Sequence, residues 1–308
     1  MKLKKRSKPS AILTADWHIR VNTPECRTDD FLCTQEKKVK FIVNLTKKHD
    51  CPVLIAGDIG DKHQWPNWLL RWFVSTVKGT NIIAIPGQHD LPGHRIDEVD
   101  RSAQGVLSIT EVIDLRTETF VTVENDFNLI SFPYSKPLAH FKINRETNAY
   151  PKVAVAMTHQ MIVENKPLWP GQEAPRGNSI LKKFSEYLLI LSGDNHNPFT
   201  AEYKGRVLIN PGSMMRTTAA QIDHKPRVYL WWADSNEIKP VYLPIEKEVI
   251  SRDHIEEQEE RDERHEAYIT RMRDDYEIGF SYEGNLKEHI EINEVEKEVK
   301  ERIWEMIE

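Results

Sequence analysis

"NIIAIPGQHDLPGH", residues 81–94, reads as a short buried strand that runs straight into a turn. The run Asn81–Ile85 is rich in isoleucine with little alternation, as expected of a strand covered on both faces. The turn then sets an amide, an imidazole and a carboxylate in a row, at Gln88, His89 and Asp90. Turns usually close on glycine, proline or asparagine and hand over to bland polar residues. A polar turn alone would explain this run, so its meaning depends on whether other strands end the same way.

They do. Apolar runs bounded by turn residues recur at Ala11–Ala15, Pro52–Ala56, Lys152–Thr158 and Tyr187–Ser192. The first is followed by "TADWH", carrying Asp16 and His18, and the second by "AGDIGDKH", carrying Asp58, Asp61 and His63. "MTHQ" adds His159, and "SGDNH" adds Asp194 and His196. In open α/β sheets the carboxyl ends of the strands line one crevice, so these groups are expected to converge. One histidine after a strand is an ordinary surface residue. Five strand ends with the same habit are not what random turns produce.

The intervening segments are helical. In "WPNWLLRWFVSTV" the residues Trp65, Trp68, Leu69, Trp72, Phe73, Thr76 and Val77 form one stripe at 3.6-residue period, read as core packing and not as a stacking platform. Leu32, Gln35, Val39, Ile42, Val43 and Thr46 give a weaker stripe over residues 31–48. Strand and helix therefore alternate through the first three strands, a βαβ arrangement with right-handed crossovers. Later runs (120–123, 127–132, 199–203, 206–209, 227–232 and 237–243) read as antiparallel meanders. The expected fold is α/β, with two packed sheets flanked by helices and a C-terminal helical tail. The expected domains are 1–245 and 246–308, with a charged helix over 251–275 and an amphipathic one over 284–307.

Charge divides the same way. Residues 251–308 hold 20 acidic and 9 basic side chains, whereas residues 1–250 hold 28 acidic and 33 basic. The mildly positive body can meet a polyanion; the acidic tail cannot. Cys26, Cys33 and Cys51 form no CxxC pair and no even set, which points to free thiols in a reducing cytoplasm. The basic N-terminus has an apolar run too short for a signal peptide or membrane span.

The ligand types at the strand ends are coherent. Carboxylates, imidazoles and one amide suit Mn²⁺, Fe²⁺, Mg²⁺ or Zn²⁺, with no thiolate present. Seven such groups exceed what one ion needs, so two divalent ions sharing a carboxylate is the economical arrangement. Two ions roughly 3.5–4 Å apart clamp an in-line displacement at phosphorus.

In order and spacing, Asp16-Trp17-His18, Gly57–Asp61, Gly87–Asp90, His159 and Gly193–His196 resemble the signature of the calcineurin-like metallophosphoesterase superfamily, over roughly residues 10–245. "INPGS" (210–213 with Ile209) resembles the turn that follows its last metal motif. "TADWHIR" and "AGDIGDK" are most similar to SbcD-type nuclease subunits of double-strand-break repair complexes. The resemblance implies that Asp16, His18 and His196 hold a first metal, that Asp58 bridges, and that Gln88, His159 and Asp194 hold a second. It further implies that His89 acts on the scissile phosphate and that Asp90 orients its imidazole. His63, His94 and Asn195 read as rim residues, and Asp61 as a supporting acceptor or turn residue.

Two positions depart from the family pattern: Gln88 stands for the usual asparagine and Asp194 for a histidine. The added oxygen and charge favour Mn²⁺ or Mg²⁺ at the second position. The implied activity is a metal-dependent DNA exo/endonuclease in repair, recombination or replication. Its implied partners are DNA and, through the C-terminal helix, an SbcC-type SMC-like ATPase, with a homodimer as the other use of that helix. The alternatives are a phosphatase or phosphodiesterase on nucleotides or phosphoproteins, and a non-catalytic scaffold. About 60 residues after the catalytic domain are too few for the DNA-capping domain usual in that group.

Overall fold

The computed structural model describes residues 8–119, 121–124, 126–141, 153–280, 282–293 and 295–306. Three short apolar segments become the parallel strands β1 (Ala11–Thr14), β2 (Val53–Ala56) and β3 (Ile82–Ile85), with every residue buried. Between them run the helices α1 (Phe31–His49) and α2 (Asn67–Val77). Asp30 starts α1 by accepting from the Cys33 amide, and Asp50, in the left-handed region, ends it. The chain continues through α3 (Ala103–Ile109), β4 (Asp114–Leu115), β5 (Val121–Val123), β6 (Asn128–Phe132), β7 (Ala154–Thr158), α4 (Gly177–Lys183) and β8 (Leu189–Ser192). Four more strands follow: β9 (Phe199–Tyr203), β10 (Arg206–Asn210), β11 (Arg227–Trp232) and β12 (Glu237–Tyr242). Phe120 and Lys152, expected to open two of the strands, lie outside the described residues.

These strands make two six-stranded sheets, ordered β12-β11-β1-β2-β3-β4 and β5-β6-β7-β8-β10-β9. The fold is thus the expected α/β one, two mixed sheets flanked by helices. Two expectations about it need correction. The five ligand-bearing strand ends do not come from one sheet: β1, β2 and β3 belong to the first, and β7 and β8 to the second. Nor are the later strands simple meanders, because β6 runs parallel to β7 and β8 parallel to β10, with antiparallel β5 and β9 outside them. The connection from β6 to β7, about twenty residues, is long enough for the crossover that parallel pairing requires.

The layering follows from period-two alternation of residues that are apolar on both faces. Leu13, Leu54, Ala56, Ile83 and Ile85 face Leu129, Val155, Met157, Leu189 and Leu191 between the sheets. Ile12, Val53, Ile55 and Ile82 turn outward to a second cluster with Val39, Ile42, Leu69 and Phe73 of α1 and α2. Ile130, Ala156, Ile190 and Leu208 do the same against Ile180 and Leu181 of α4. In α2 the buried face is narrower than the stripe suggested: Leu69, Phe73 and Val77 are buried while Trp68 is 49% exposed.

The chain divides into two compact units, Met1–Ser251 and Arg252–Glu308. The first runs past the expected boundary at 246 because Ile250 bridges Arg27 and the Ser251 amide donates to Cys26 O at 2.8 Å. The second contains α5 (Asp253–Phe280), α6 (Tyr282–Ile292) and α7 (Lys297–Glu305). The single amphipathic helix expected over 284–307 is therefore two. Asn293 ends the first by bonding its side chain back to His289 O at 2.8 Å, a competition with the helical ladder that asparagine favours. Of the expected stripe, Ile290 is buried, Val295 and Ile303 are half-buried, and Val299 and Met306 are exposed. Among the described residues no helix is long and apolar enough to cross a membrane.

Candidate metal centre

The strand ends of both sheets meet at one edge of the sandwich. Asp16 and His18 follow β1, and their turn is laced to the one after β2: the Asp16 amide donates to Gly57 O, His18 to Asp58 O and Ile19 to Ile59 O, at 3.0, 3.0 and 2.8 Å. On the other side the Asp194 amide, after β8, donates to Asp16 Oδ1 at 3.1 Å. The "INPGS" turn backs both sides, its Ser213 amide on His196 O and the Met214 amide on Asp16 O.

The donors cluster. Asp16, His18 and His196 offer three atoms within 4.8 Å of one another; so do His18, Asp58 and His89, and so do Asp16, Asp58 and His159. His18 Nε2 stands 2.9 Å from His196 Nε2, and His159 Nε2 stands 3.3 Å from Asp58 Oδ2. Asp16, Asp58 and His159 are essentially without solvent contact, whereas His89 is exposed. Asp16 Oδ2 is buried with no hydrogen-bond partner among the described residues, and Asp58 Oδ2 meets only the ring nitrogens of His159 and His18, at 3.3 and 3.8 Å. A buried carboxylate oxygen left unpartnered, beside a second that faces only imidazoles, calls for a cation, so the residues present fit a divalent metal.

The electrostatics point the same way. Burial pushes the Asp16 carboxyl well above the usual range, and the neighbouring Asp58 adds to it. Burial would also raise Asp58, but His159, His18 and His89 outweigh it and hold Asp58 below the usual carboxylate range. Burial lowers His18 to about 3, leaving a neutral imidazole suited to ligation. His159 moves the other way: burial opposes its charge, yet Asp58, Asp16 and Asp194 raise it to about 10. Its proton occupies the electrostatic place of a cation among three carboxylates. His159 Nδ1 is 2.6 Å from Ala56 O, a backbone contact that orients the ring and leaves Nε2 facing the site.

Gln88 and Asp194, the two departures, are partners. Gln88 Oε1 lies 2.7 Å from His159 Nε2, and its Nε2 donates to Asp194 Oδ1 at 2.7 Å. The extra methylene lets the amide span from imidazole to carboxylate, and the carboxylate gives its N–H groups an acceptor that a neutral histidine would supply only as one tautomer.

Asp90 requires a correction. It does not touch the His89 ring; its carboxylate accepts from the Gly60, Gly87 and Ile59 amides at 2.8, 3.0 and 3.3 Å. It is a brace between two motif loops, and burial beside Asp58 lifts it to about 7. The His89 ring instead places Nδ1 3.1 Å from Asp61 O, while the His89 amide donates to Asp58 Oδ1 at 2.9 Å. Asn195 is no rim residue either: it is 1% exposed and its Nδ2 donates to Ile162 O, tying the end of β8 to the loop after β7. His63 is half-buried and His94 exposed, outside the donor cluster.

Two backbone features were not evident from the residue types. Asp16, His18, Asp58 and Asp194 all sit at positive φ, between 45° and 76°, where non-glycine residues are strained. Gly87 is extended, with φ −97°, so it is not needed for a sharp turn; a Cβ there would strike the Asp58 carboxylate. A Cβ on Gly57 or Gly193 would likewise meet the His159 ring.

Among 110 matching solved chains, one is described as a novel archaeal phosphodiesterase, at 14% identity and TM-score 0.41, covering 76% of this chain and 99% of that one. Another is a phosphopantetheinyl hydrolase from Mycobacterium tuberculosis, at 10% identity and TM-score 0.43, covering 76% and 96%. Comparison with curated proteins gives no match. Residues 10–261 match the family described as calcineurin-like phosphoesterase. The chain belongs to that family, whose members are metal-dependent phosphoester hydrolases.

Proposed function

We propose that this chain is a phosphodiesterase of the SbcD type, a DNA nuclease acting in the cytoplasm with an SMC-like ATPase bound through the C-terminal helices. The observation that carries the reading is the set of overlapping donor groups linked through Asp16, His18 and Asp58, with the buried Asp16 Oδ2 unpartnered, beside one exposed imidazole. Asp16, His18 and His196 would hold one divalent ion and Gln88, His159 and Asp194 another, with Asp58 between them. Bound ions of this kind supply Lewis acidity toward phosphoryl oxygens and activate water. His89, solvent-facing and anchored at Nδ1 by Asp61 O, presents Nε2 to the phosphate as a hydrogen-bond donor or as the acid that protonates the leaving oxygen. Asp90 fixes the loop that carries His89, and His159 keeps its ring in place through Ala56 O.

Linear duplex DNA, single-stranded DNA and a chromogenic phosphodiester, each with Mn²⁺, Mg²⁺ or EDTA, test the reading. Mn²⁺-dependent cleavage of DNA, abolished by EDTA, is expected. Hydrolysis confined to phosphomonoesters or mononucleotides would replace it with the phosphatase alternative, and no hydrolysis with any metal would leave a scaffold.

A further inference from the structure

A cavity of about 200 Å³ lies between the segment after β1 and the segment entering α2. Its apolar walls include Ile19, Trp65 and Leu69, and its polar ones Arg20, Asp61 and Gln64. It adjoins the metal centre through a shared residue, since Asp61 lines it while Asp61 O faces His89 Nδ1 at 3.1 Å. Both walls are built on the backbone that carries the ligands. The Ile19 amide donates to Ile59 O at 2.8 Å and the Asp61 amide to Ile19 O at 3.1 Å, one and three residues beyond His18 and Asp58.

Arg20 is held in place from behind. Buried Gln35 accepts from the Arg20 amide and donates to Arg20 O, both at 2.9 Å, and Arg20 Nη1 donates to Asp61 Oδ1 at 3.3 Å. Its Nε is buried without a hydrogen-bond partner among the described residues. The side chain as a whole is 25% exposed, so its other N–H groups are open to an acceptor in the cavity that Arg20 lines. The cavity is smaller than the roughly 300–1,000 Å³ of pockets that enclose drug-sized ligands, so it suits one planar ring system and not a whole nucleotide. Arg20 and Lys62 line it opposite Asp61, which pairs with Arg20, and the largely apolar walls suit a flat ring better than a second phosphate. An acceptor-bearing flat heterocycle fits both walls.

We propose that this cavity is a nucleobase subsite, taking the base of the nucleoside esterified to the scissile phosphate; the inference rests on the phosphodiesterase reading above. The test compares kcat/KM for the p-nitrophenyl ester of a nucleoside monophosphate with that for bis(p-nitrophenyl) phosphate, in the full chain with Mn²⁺. The variants are Gln64→Trp, which fills the mouth from an exposed position, and Arg20→Met, which removes the donor. Wild type is expected to favour the nucleoside ester by about tenfold or more, and both variants to bring that ratio toward one. A wild-type ratio near one, a ratio kept in both variants, or equal loss on both substrates overturns the subsite alone. If wild type hydrolyses neither diester, the phosphodiesterase reading fails and the subsite falls with it.

Discussion

Replacing Lys38 with methionine would remove a charge from the interior of the first unit and make the pH dependence of its stability readable. Lys38 lies on α1, is 1% exposed, and donates from Nζ to Met214 O at 2.8 Å. Burial, with the Arg27 and Arg216 guanidinium groups close by and only Asp29 in opposition, lowers its ammonium from 10.5 to about 7. Between those two values the unfolded chain binds a proton that the folded chain does not, so stability rises with pH through this window. Below about pH 7 both states are protonated and the penalty is full, about 5 kcal/mol at roughly 1.4 kcal/mol per pH unit. From about pH 7 to about pH 9 the wild type should therefore gain about 2 kcal/mol relative to Lys38→Met. The variant leaves Met214 O without its donor, but that loss is independent of pH and cancels in the comparison. Urea unfolding of both proteins at the two pH values measures the difference. Parallel pH profiles would refute the argument, because they would mean that Lys38 titrates alike in the folded and unfolded chains.

Other expectations concern the centre and the tail. His89→Ala should keep metal affinity, followed by calorimetry, yet lose on the order of 10²–10⁴ in turnover; unchanged turnover would remove His89 from the reaction. Asp194→His should move metal preference from Mn²⁺ toward ions more tolerant of nitrogen donors, and identical activity profiles across metals would mean that Asp194 is not a ligand. Deleting residues 284–308 should spare hydrolysis of a small phosphodiester while ending co-purification with an SMC-like ATPase. An aggregated truncation product would instead assign Ile290 and Ile303 to the protein's own packing.

Much of the candidate centre was legible because groups that could hold a metal are chemically conspicuous at strand ends. Asp16, His18, Asp58, His159 and His196 needed only residue type and position to stand out. What periodicity could not tell was which sheet each strand joins. An apolar run covered on both faces looks the same in either layer, so the union of β1–β3 with β7 and β8 was hidden. The role of Asp90 was hidden for a related reason. Its three partners are main-chain amides of residues 59, 60 and 87, which no side-chain pattern reports. Helix α1 was legible as an element but not in its packing: Leu32, on the expected stripe, is 39% exposed, whereas Phe31 and Lys38 are buried. A lysine in that position contradicts its type, and only the carbonyl of Met214 explains it.

The four left-handed residues carry a consequence for how such a centre persists. A non-glycine residue rarely adopts that conformation, although aspartate and histidine do so more readily than most, and Asp16, His18, Asp58 and Asp194 all adopt it. A lineage, or a laboratory library, screened for heat resistance alone would drift toward glycine or asparagine at these positions and dismantle the centre first. Read in reverse, clustered positive-φ acids and imidazoles at neighbouring strand ends become a detector of metal chemistry in sandwiches whose sequences carry no recognisable motif.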